Sequence, residues 1–400
     1  MTDPVTREDT ARGEVRLRTR LLALTWAHLL NDGASNYLPG VLPAVLVAVH
    51  GNVHMAGVLM AALMIGQALQ PFLGWIADGV GGRWFVALGL LLSSLGGGLL
   101  GVTNSLGLLI VILLMIGIGS ALFHPQALAG VRSMLQGRHG LFTSLFLVGG
   151  EIGRGIWPTA ASLVAANLGL QYLWIIAIPG LLTVIVVFRL APQLPARPRS
   201  GRVLHFQAHS RPLLLLLSYS SIRAFTIYGL VTFIPILWHL HGGSLVSGAT
   251  IISTIIVVGV VGNLFGGHLA DVFGRRPVLV VSTLAIALLV VPIAYAHGAW
   301  IWVLAALLGP LLFLTASTTI LIGQDIFPEN RSMGSGIALG LANGLGALLV
   351  LVIGFLVNDS DVMSVFWVLA ALSCAAVVPA LALPRTLMGT VQPSETRMDP

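Results

Sequence analysis

Long apolar segments alternate with short polar ones along the whole chain. Each apolar segment holds about 20 residues or more, enough for a helix to cross about 30 Å of hydrocarbon. Because lipid offers no water to bond the backbone groups, such segments are expected to be helical. The pattern predicts twelve transmembrane helices, near residues 21–47, 53–77, 84–103, 106–133, 140–168, 171–190, 212–239, 246–270, 277–296, 300–325, 333–357 and 362–384.

A long polar interruption, rich in proline and arginine, separates the sixth predicted helix from the seventh. It is expected to be a cytoplasmic linker between two bundles of six helices. The predicted parts are a cytoplasmic N-terminal tail at 1–20, an N-terminal bundle at 21–190, the linker at 191–211, a C-terminal bundle at 212–384 and a C-terminal tail at 385–400.

The placement of arginine predicts the orientation in the membrane. Short cytoplasmic loops retain positive charge, and eighteen of the twenty arginines lie in the tails, the linker or alternate loops. The opposite loops carry Asp359 and Asp361 instead. Both termini are therefore expected on the cytoplasmic side of the inner (cytoplasmic) cell membrane. The two exceptions, Arg154 and Arg223, fall inside predicted helices.

The overall composition narrows the class of protein. Hydrophobic residues make up 56% of the chain and charged residues 8%, with a mean hydropathy of +0.96, whereas a soluble domain carries about a quarter charged residues. The net charge of +6 is scattered between hydrophobic segments, which does not favour nucleic-acid binding. All basic residues are arginine, Cys374 is the single cysteine, and no Walker A or nucleophile-elbow sequence occurs. We therefore expect neither an enzyme nor a metal or cofactor site.

A repeated motif relates the two halves of the chain. GWIADGVGGR begins at Gly74 and GHLADVFGRR at Gly267, with Gly, Ala-Asp, Gly and Arg at the same offsets. The separation is 193 residues, and the same shift carries Gly153 onto Gly346. Because parallel repeats of six helices are one plan of secondary transporters, the chain is predicted to be an all-α membrane protein with two related six-helix bundles.

The twelve predicted helices and the duplicated motif resemble the major facilitator superfamily over residues 20–385. The resemblance implies a monomer that works by alternating access, and a motif that latches the two bundles while the cavity faces outward. The aspartates of the motif are expected to cap helices or to pair with its arginines; a purely topological role of these charges is the alternative. The candidate gating residues are Gly74, Asp78, Arg83, Gly267, Asp271, Arg275 and Arg276.

Three segments are similar to the fosmidomycin-resistance type of exporter within that superfamily. They are HLLNDG at 28–33, GSALFHPQALAGVR at 119–132 and GRHGLFTSLFLVGGEIG at 137–153. The resemblance implies export of drug-like compounds. The sequence departs from the type at Glu151, where an uncharged residue is usual, and at Trp157-Pro158, where Gly-Pro is usual. These departures leave room for a different substrate.

Four charged residues lie deep inside predicted helices: Asp32, Glu151, Arg154 and Arg223. Counting from the predicted cytoplasmic ends places all four near mid-depth. A charge near the bilayer centre costs at least about 2.5 kcal/mol and usually marks a partner or a pathway. We expect the carboxylates of Asp32 and Glu151 to exchange protons, with His28 nearby. Arg154 and Arg223 are expected to bind an anionic group of the substrate.

Two of these expectations have structural alternatives. Glu151 and Arg154 are three residues apart, hence neighbours on one helix face, and an ion pair that only stabilises the bundle explains them as well. Asp32 has no arginine on its own predicted helix, so it is expected to lack a fixed partner and to be the stronger proton carrier. Hydrogen bonds that only hold its helix to neighbouring helices are the alternative.

Three polar residues complete the candidate substrate-binding set: Asn31, Gln67 and His124. Hydrogen bonding between helices explains Gln67 equally well. His124 precedes Pro125 on the cytoplasmic side of its predicted helix, where it is expected either to gate or relay protons or only to bond a carbonyl freed by the proline.

Together these features predict a secondary active transporter, preferably a proton-coupled exporter (antiporter) of small organic or drug-like compounds, anionic ones included. Its energy source is the proton gradient, and its partners are the substrate, protons and the lipid bilayer. An importer or facilitator of organic anions or sugars is the first alternative. A membrane receptor or scaffold that transports nothing is the second.

Overall fold

The computed structural model describes residues 4–134, 139–196, 209–328 and 331–388, which form helices and turns without a strand. Side chains are described from Val15 onward, except at 139–144, 331–332 and 335. Most of the predicted linker, the tail beyond residue 388 and residues 137–138 of the third exporter-like segment lie outside these ranges. The described part of the chain is therefore all-α, as predicted.

The described residues of the first half, up to the linker, form eight α-helices. They are α1 Pro4–Asn36, α2 Leu38–Ala48, α3 Val53–Ala68, α4 Gln70–Val80, α5 Trp84–Leu99, α6 Leu106–Met134, α7 His139–Asn167 and α8 Trp174–Leu190, with a 3-10 turn at Leu170–Tyr172. Because α1 begins at Pro4, most of the predicted N-terminal tail continues the first helix.

In the second half, the part of the chain that the structure describes forms nine α-helices. They are α9 Ser210–Leu240, α10 Leu245–Phe273, α11 Arg275–Tyr295, α12 Trp300–Leu314, α13 Ala316–Ile326, α14 Arg331–Gly336, α15 Ala342–Leu356, α16 Met363–Ala375 and α17 Val377–Ala382, with a π-helical turn at Ile337–Leu341 and a 3-10 turn at Arg385–Leu387.

Several predicted spans are helices interrupted at one residue. α1 gives way to α2 at Tyr37, and α3 gives way to α4 at Leu69. In both cases a proline, Pro39 or Pro71, occupies the second position of the new helix, where it cannot donate a backbone hydrogen bond. The local cause is therefore the missing donor, and each interrupted pair still continues in one direction as a single span.

Nine spans in the described part of the chain are long and apolar enough to cross a membrane. They are Val53–Val80, Leu106–Met134, Leu170–Leu190, Ser210–Leu240, Leu245–Phe273, Arg275–Tyr295, Trp300–Ile326, Ile337–Leu356 and Met363–Ala382. The other predicted spans fall on α1 with α2, on the 16-residue α5 and on α7. The first and third of these contain the buried charges, so the count of twelve stays a prediction.

Large apolar side chains cover much of the outer surface of the helices. Examples are Leu182, Leu288, Trp300 and Leu356, all of which are exposed. A water-soluble protein rarely exposes apolar patches of this extent, whereas the hydrocarbon of a bilayer solvates them. The surface therefore agrees with the apolar spans in identifying a multi-pass membrane protein.

The two halves of the chain pack against each other through a few helices. In the described residues α7 packs on α10, α3 packs on α15, and α2 packs on both α9 and α10. Glycines permit the closest approach: a Cβ added to Gly57 of α3 would lie 3.1 Å from the Cα of Gly354 in α15. The site described next lies in the first half, close to the α7 side of this interface.

Candidate functional site

The carboxylate of Asp32, on α1, is the centre of a buried polar cluster. Asp32 is 1% exposed, and its Oδ1 lies 2.9 Å from Nε2 of His124 and accepts a 3.3 Å hydrogen bond from Asn31. Its Oδ2 accepts a 3.1 Å hydrogen bond from Nη2 of Arg154 and lies 3.5 Å from Nε2 of His28. The prediction that Asp32 lacks a fixed partner is therefore wrong, because α6 and α7 each bring one to it.

Glycines explain how α7 brings its arginine so close. A Cβ on Gly153 would overlap the backbone carbonyl of Leu29, and one on Gly150 would overlap the imidazole of His28. Two helices can approach this closely only where side chains are absent. The glycine-rich stretch GGEIGRG thus seats α7 against α1 at the level of Asp32, within reach of Arg154.

His28 and His124 are held in the same way. Nδ1 of His28 donates to the carbonyl of Phe146 at 2.7 Å, and Nδ1 of His124 donates to the carbonyl of Ser120 at 2.8 Å. In each ring the other nitrogen is directed toward Asp32. His124 thus bonds a helix carbonyl, although that of Ser120 and not that of Ala121, which Pro125 leaves without its usual donor. It also contacts the buried carboxylate, and its gating or relay role stays a prediction.

Glu151 is the outer member of the cluster. Its Oε2 lies 3.5 Å from Nη1 of Arg154, and its side chain is 16% exposed. The side chain of Arg154 is 32% exposed and that of Asp32 2%. Arg154 thus connects a buried carboxylate to a more accessible one, and only the accessible end can meet a solute without unpacking the helices.

Arg223, on α9, has a different environment. Its Nη1 donates a long 3.5 Å hydrogen bond to the carbonyl of Leu312, and its Nε is buried without a partner. Among the described residues no carboxylate pairs with it. Its surroundings include the hydroxyl groups of Tyr219 and Thr226 at a small cavity. A buried guanidinium without a counter-ion is costly, so Arg223 carries an unbalanced charge in the described part of the chain.

Tyr228, also on α9, lies five residues beyond Arg223, and the charges of Arg154 and Arg223 both act on its phenol. Of the four charges predicted at one depth, the structure brings Asp32, Glu151 and Arg154 into contact. Arg223 forms no ion pair with them in the described residues.

Sequence reasoning missed two polar members of the site. Ser93, on α5, donates a 2.7 Å hydrogen bond to Oδ1 of Asn31 and so orients the amide that faces Asp32. Tyr228 is the other. Neither residue carries a charge that would attract attention in an apolar helix, so only the packing of α5 and α9 reveals them. Gln67, a predicted substrate contact, donates at 3.4 Å to the carbonyl of Ser35 on α1.

The duplicated motif lies away from this cluster, and its charges bond within their own half. Asp78 accepts a 3.0 Å hydrogen bond from Gln126, and Arg83 donates at 3.2 Å to the carbonyl of Arg189. The predicted pairing of Asp78 with an arginine is therefore wrong in the described residues. The reason is that α6 packs on α4 and presents Gln126 there, while Arg83 follows a turn at Gly81 and Gly82 that directs it toward α8.

The second copy of the motif behaves in the same way. Arg275 pairs with Asp325 at 2.6 Å, and Arg276 donates at 2.6 Å to the carbonyl of Leu383. Asp271 is exposed, and the predicted pairing of this residue with an arginine is likewise not found in the described part of the chain. A Cβ on Gly267 would lie 3.6 Å from Ser317, whereas one on Gly74 would lie 3.0 Å from Pro125. The close helix approach expected of these glycines is thus tighter in the first copy.

The spacing of His28, Asp32 and His124 also suits a metal ion, since one ligand atom from each lies within 4.8 Å of the others. No metal site was predicted from the sequence. The guanidinium of Arg154 already bonds the same carboxylate at 3.1 Å, and its positive charge repels a cation at this position. A metal ion at this position is therefore disfavoured in the described residues.

A polytopic helical fold with buried, paired charges defines a membrane transporter. The sequence profile of the Major Facilitator Superfamily matches residues 24–350 and 260–398. The chain therefore belongs to the Major Facilitator Superfamily, whose members are transporters and not enzymes.

Two relatives match most of the chain. The fosmidomycin resistance protein of Escherichia coli (strain K12) is 25% identical over 361 residues, which cover 88% of this chain and 89% of the relative. The uncharacterized MFS-type transporter YfnC of Bacillus subtilis (strain 168) is 25% identical over 364 residues, covering 84% and 86%. The resemblance to the fosmidomycin-resistance type, first seen in three short segments, thus extends over the chain.

Solved structures show the same fold. The nucleoside transporter NupG has a TM-score of 0.74 with 16% identity, covering 92% of this chain and 98% of its own. A bacterial homologue of the human lysosomal transporter Spinster, in an inward-facing and unoccupied conformation, has a TM-score of 0.70 with 17% identity, covering 93% and 96%. At these identities the likeness concerns the fold and not the substrate.

Proposed function

We propose that the protein is a proton-coupled exporter of small anionic, drug-like compounds that works by alternating access in the inner membrane. The proposal includes twelve transmembrane helices in two bundles, cytoplasmic termini, a monomeric state and the proton gradient as energy source. The observation that carries it is the unequal pairing of buried charges. Asp32 is surrounded by donors, whereas Arg223 has no counter-ion among the described residues.

The two environments suit two ligands. The cluster around Asp32 contains the titratable groups, so it is the place where a proton changes the charge. Arg223 is always charged, so it is the place where an anionic group replaces a missing counter-ion. Arg154 connects them, because an anion that reaches Tyr228 competes with Asp32 for this guanidinium. Binding of proton and substrate is thereby coupled through one shared arginine.

The name of the Escherichia coli relative supports export of an antibiotic. We propose an anionic substrate because Arg223 has no counter-ion among the described residues. An importer of organic anions on the same fold remains the alternative, since the same groups serve either direction. The proposed orientation places the duplicated motif on the cytoplasmic side. The contacts at the opposite ends of the helices then close the site toward the outside, which is an inward-facing arrangement.

A flux measurement in liposomes tests the proposal. The purified protein is reconstituted, a pH gradient is imposed, and uptake of a labelled phosphonate, a sugar and a cationic drug is compared. We expect gradient-dependent uptake of the phosphonate. Arg223→Gln should lower the affinity for the phosphonate about 10- to 100-fold, which is the effect of losing one charged hydrogen bond. Arg223→Lys should retain part of the affinity.

The control is Arg132→Gln, which removes an exposed arginine at the end of α6. It should leave uptake unchanged. Uptake that ignores the pH gradient, or an equal loss of anionic and neutral substrates in Arg223→Gln, would contradict the proposal. The sign of the gradient that drives uptake distinguishes exporter from importer.

A further inference from the structure

We infer that His124 and Asp32 hold the exchanged proton together, between His124 Nε2 and Asp32 Oδ1, and that His124 is the group through which this proton enters and leaves. The inference rests on the proposed proton coupling. It gives His124 a role in energy coupling in place of the substrate contact expected from the sequence, and it makes a histidine part of the proton carrier.

The first step concerns the hydrogen on Nδ1. Nδ1 of His124 has two oxygens of Ser120 near it, the carbonyl oxygen at 2.8 Å and the hydroxyl oxygen at 3.3 Å. The nearer one, the carbonyl, can only accept a hydrogen bond. Nδ1 therefore carries a hydrogen. In a neutral imidazole only one nitrogen is protonated, so a neutral His124 would present a bare lone pair at Nε2.

The second step concerns the contact with the carboxylate. Nε2 of His124 lies 2.9 Å from Asp32 Oδ1, which is hydrogen-bond distance. A lone pair facing an ionised carboxylate at that distance is repulsive. One more proton must lie between the two atoms, as imidazolium and carboxylate or as imidazole and carboxylic acid. The geometry thus requires a proton between the two atoms. This proton resides on either His124 Nε2 or Asp32 Oδ1.

The third step concerns the charges around the pair. The described groups that face it are His28 and Asn31 from α1, and Glu151 and Arg154 from α7. With both carboxylates ionised and Arg154 charged, the shared proton brings the sum to zero, since it adds one positive charge. Loss of that proton leaves one net negative charge in a buried site, which is unfavourable unless the site opens to water or a cation. Release of the proton is therefore linked to a change of conformation.

His28 shows why one histidine is singled out. Its Nδ1 is also bonded to a carbonyl, but its Nε2 lies 3.5 Å from Asp32 Oδ2, which is 0.6 Å longer than the contact of His124, and that oxygen already accepts from Arg154. No proton is required there. Its ring stacks on Phe146 at 4.2 Å and meets the ring of His124 edge-on at 5.1 Å. His28 is thus a positioning residue for the pair.

Access distinguishes the two partners. The side chain of His124 is 22% exposed, whereas that of Asp32 is 2% exposed. We therefore expect a proton from water to reach the His124 imidazole before Asp32, and to pass from Nε2 to Asp32 Oδ1 along the existing contact. On release the proton returns to Nε2 and is transferred to water. Only a proton moves in this step, so no group is oxidised or reduced.

His124→Gln tests the inference in liposomes that carry a labelled phosphonate. Glutamine can donate a hydrogen bond to Asp32 but cannot carry the proton. We expect exchange of labelled for unlabelled phosphonate at equal pH to stay within about threefold of wild type, while accumulation driven by the pH gradient falls at least about tenfold. The control is His297→Gln, at an exposed position in the α11–α12 loop, which should change neither. Full gradient-driven accumulation in His124→Gln would overturn the inference.

A spectroscopic measurement separates failure of the inference from failure of the proposed function. In the ¹⁵N NMR spectrum of histidine-labelled protein in lipid nanodiscs, the signals of His124 are assigned by their loss in His124→Gln. His54 is the internal reference, because its Nδ1 bonds Gly354 O at 2.8 Å and no described carboxylate faces its Nε2. We expect Nε2 of His124 to share a proton at pH 7, and that of His54 to be bare. A bare Nε2 in both would refute the shared proton even if transport occurs, whereas a shared proton without any flux would refute the transport proposal alone.

Discussion

The Asp32 carboxylate is the residue on which the site depends most. Its two oxygens accept from different helices, Oδ1 from His124 and Oδ2 from Arg154. Removing the partner of a buried charge leaves that charge unpaired, and this costs far more than losing an exposed pair. Glu151 also pairs with Arg154, but the distance between Glu151 Oε2 and Arg154 Nη1 is longer, at 3.5 Å, and its side chain is more exposed. The two carboxylates should therefore contribute very unequally to stability.

We predict that Asp32→Asn lowers the free energy of unfolding by about 3 kcal/mol or more, because it leaves Arg154 without its buried partner. Glu151→Gln should cost less than about 1 kcal/mol, the range of exposed pairs. Thermal unfolding in detergent, followed by tryptophan fluorescence, measures both. The double variant Asp32→Asn/Arg154→Gln should lose less than the sum of its single changes. A larger loss in Glu151→Gln than in Asp32→Asn would instead favour the structural ion pair considered from the sequence.

At the scale of the element, the approach of α1 and α7 is set by absent side chains. Gly153 faces the carbonyl of Leu29, and Gly346, its counterpart in the repeat, faces Ala224 and Phe225 of α9. The same glycine thus seats the corresponding pair of helices in each half. In the first half alone, the neighbouring residue Arg154 reaches across this contact to a carboxylate.

We predict that Gly153→Ala destabilises the protein by about 2 kcal/mol or more, since backbone cannot yield as a side chain can, and that it separates Arg154 from Asp32. The matched control is Gly107→Ala in the first turn of α6, where the nearest atom to an added Cβ is Ser105 Oγ at 4.0 Å. That variant should be neutral or more stable by up to about 1 kcal/mol, because alanine favours a helix. The melting temperatures of the Gly153→Ala and Gly107→Ala variants, measured in detergent, test this prediction. Equal values would mean that the α1–α7 contact can relax.

The elements themselves could be predicted well, and the contacts between them only in part. Hydropathy located the helices because lipid demands long apolar runs, and counting residues placed Asp32 and Arg154 at one depth, where they meet. Rotation about the helix axis was not predictable, since core and lipid are both apolar and leave no polar face to orient a span. The contact of His124 with Asp32 was therefore not predictable, and neither was the bond of Asp78 with Gln126.

At the scale of the whole molecule, the polar contacts described between the two halves lie away from the duplicated motif. Val53 N donates to Asp359 at 2.9 Å, and the hydroxyl groups of Thr159 and Ser253 lie 2.7 Å apart. The motif arginines bond within their own halves instead. In an alternating-access cycle the halves must part at the first set of contacts and meet at the motif.

We predict that Thr159→Cys/Ser253→Cys, in a Cys374→Ser background, forms a disulfide on oxidation and stops transport, because α7 and α10 can then no longer separate. The distance between the two hydroxyls suits such a bond. To detect the cross-link, a protease site is inserted in the 191–211 linker and the protein is cleaved there. Cross-linked halves then migrate together on a non-reducing gel. Reduction should restore flux, and each single cysteine variant should transport throughout. Undiminished flux in the cross-linked protein would show that these helices stay together during transport.

The seam between the halves joins hydroxyl, carboxylate and backbone groups as well as apolar ones. Each of its polar bonds can be exchanged for a bond to water with a net cost of only about 1 kcal/mol. A seam of interlocked leucines would hold more firmly but would open slowly. The bond of Thr159 with Ser253 is thus specific enough to define one conformation and weak enough to be exchanged for bonds to water when the halves separate.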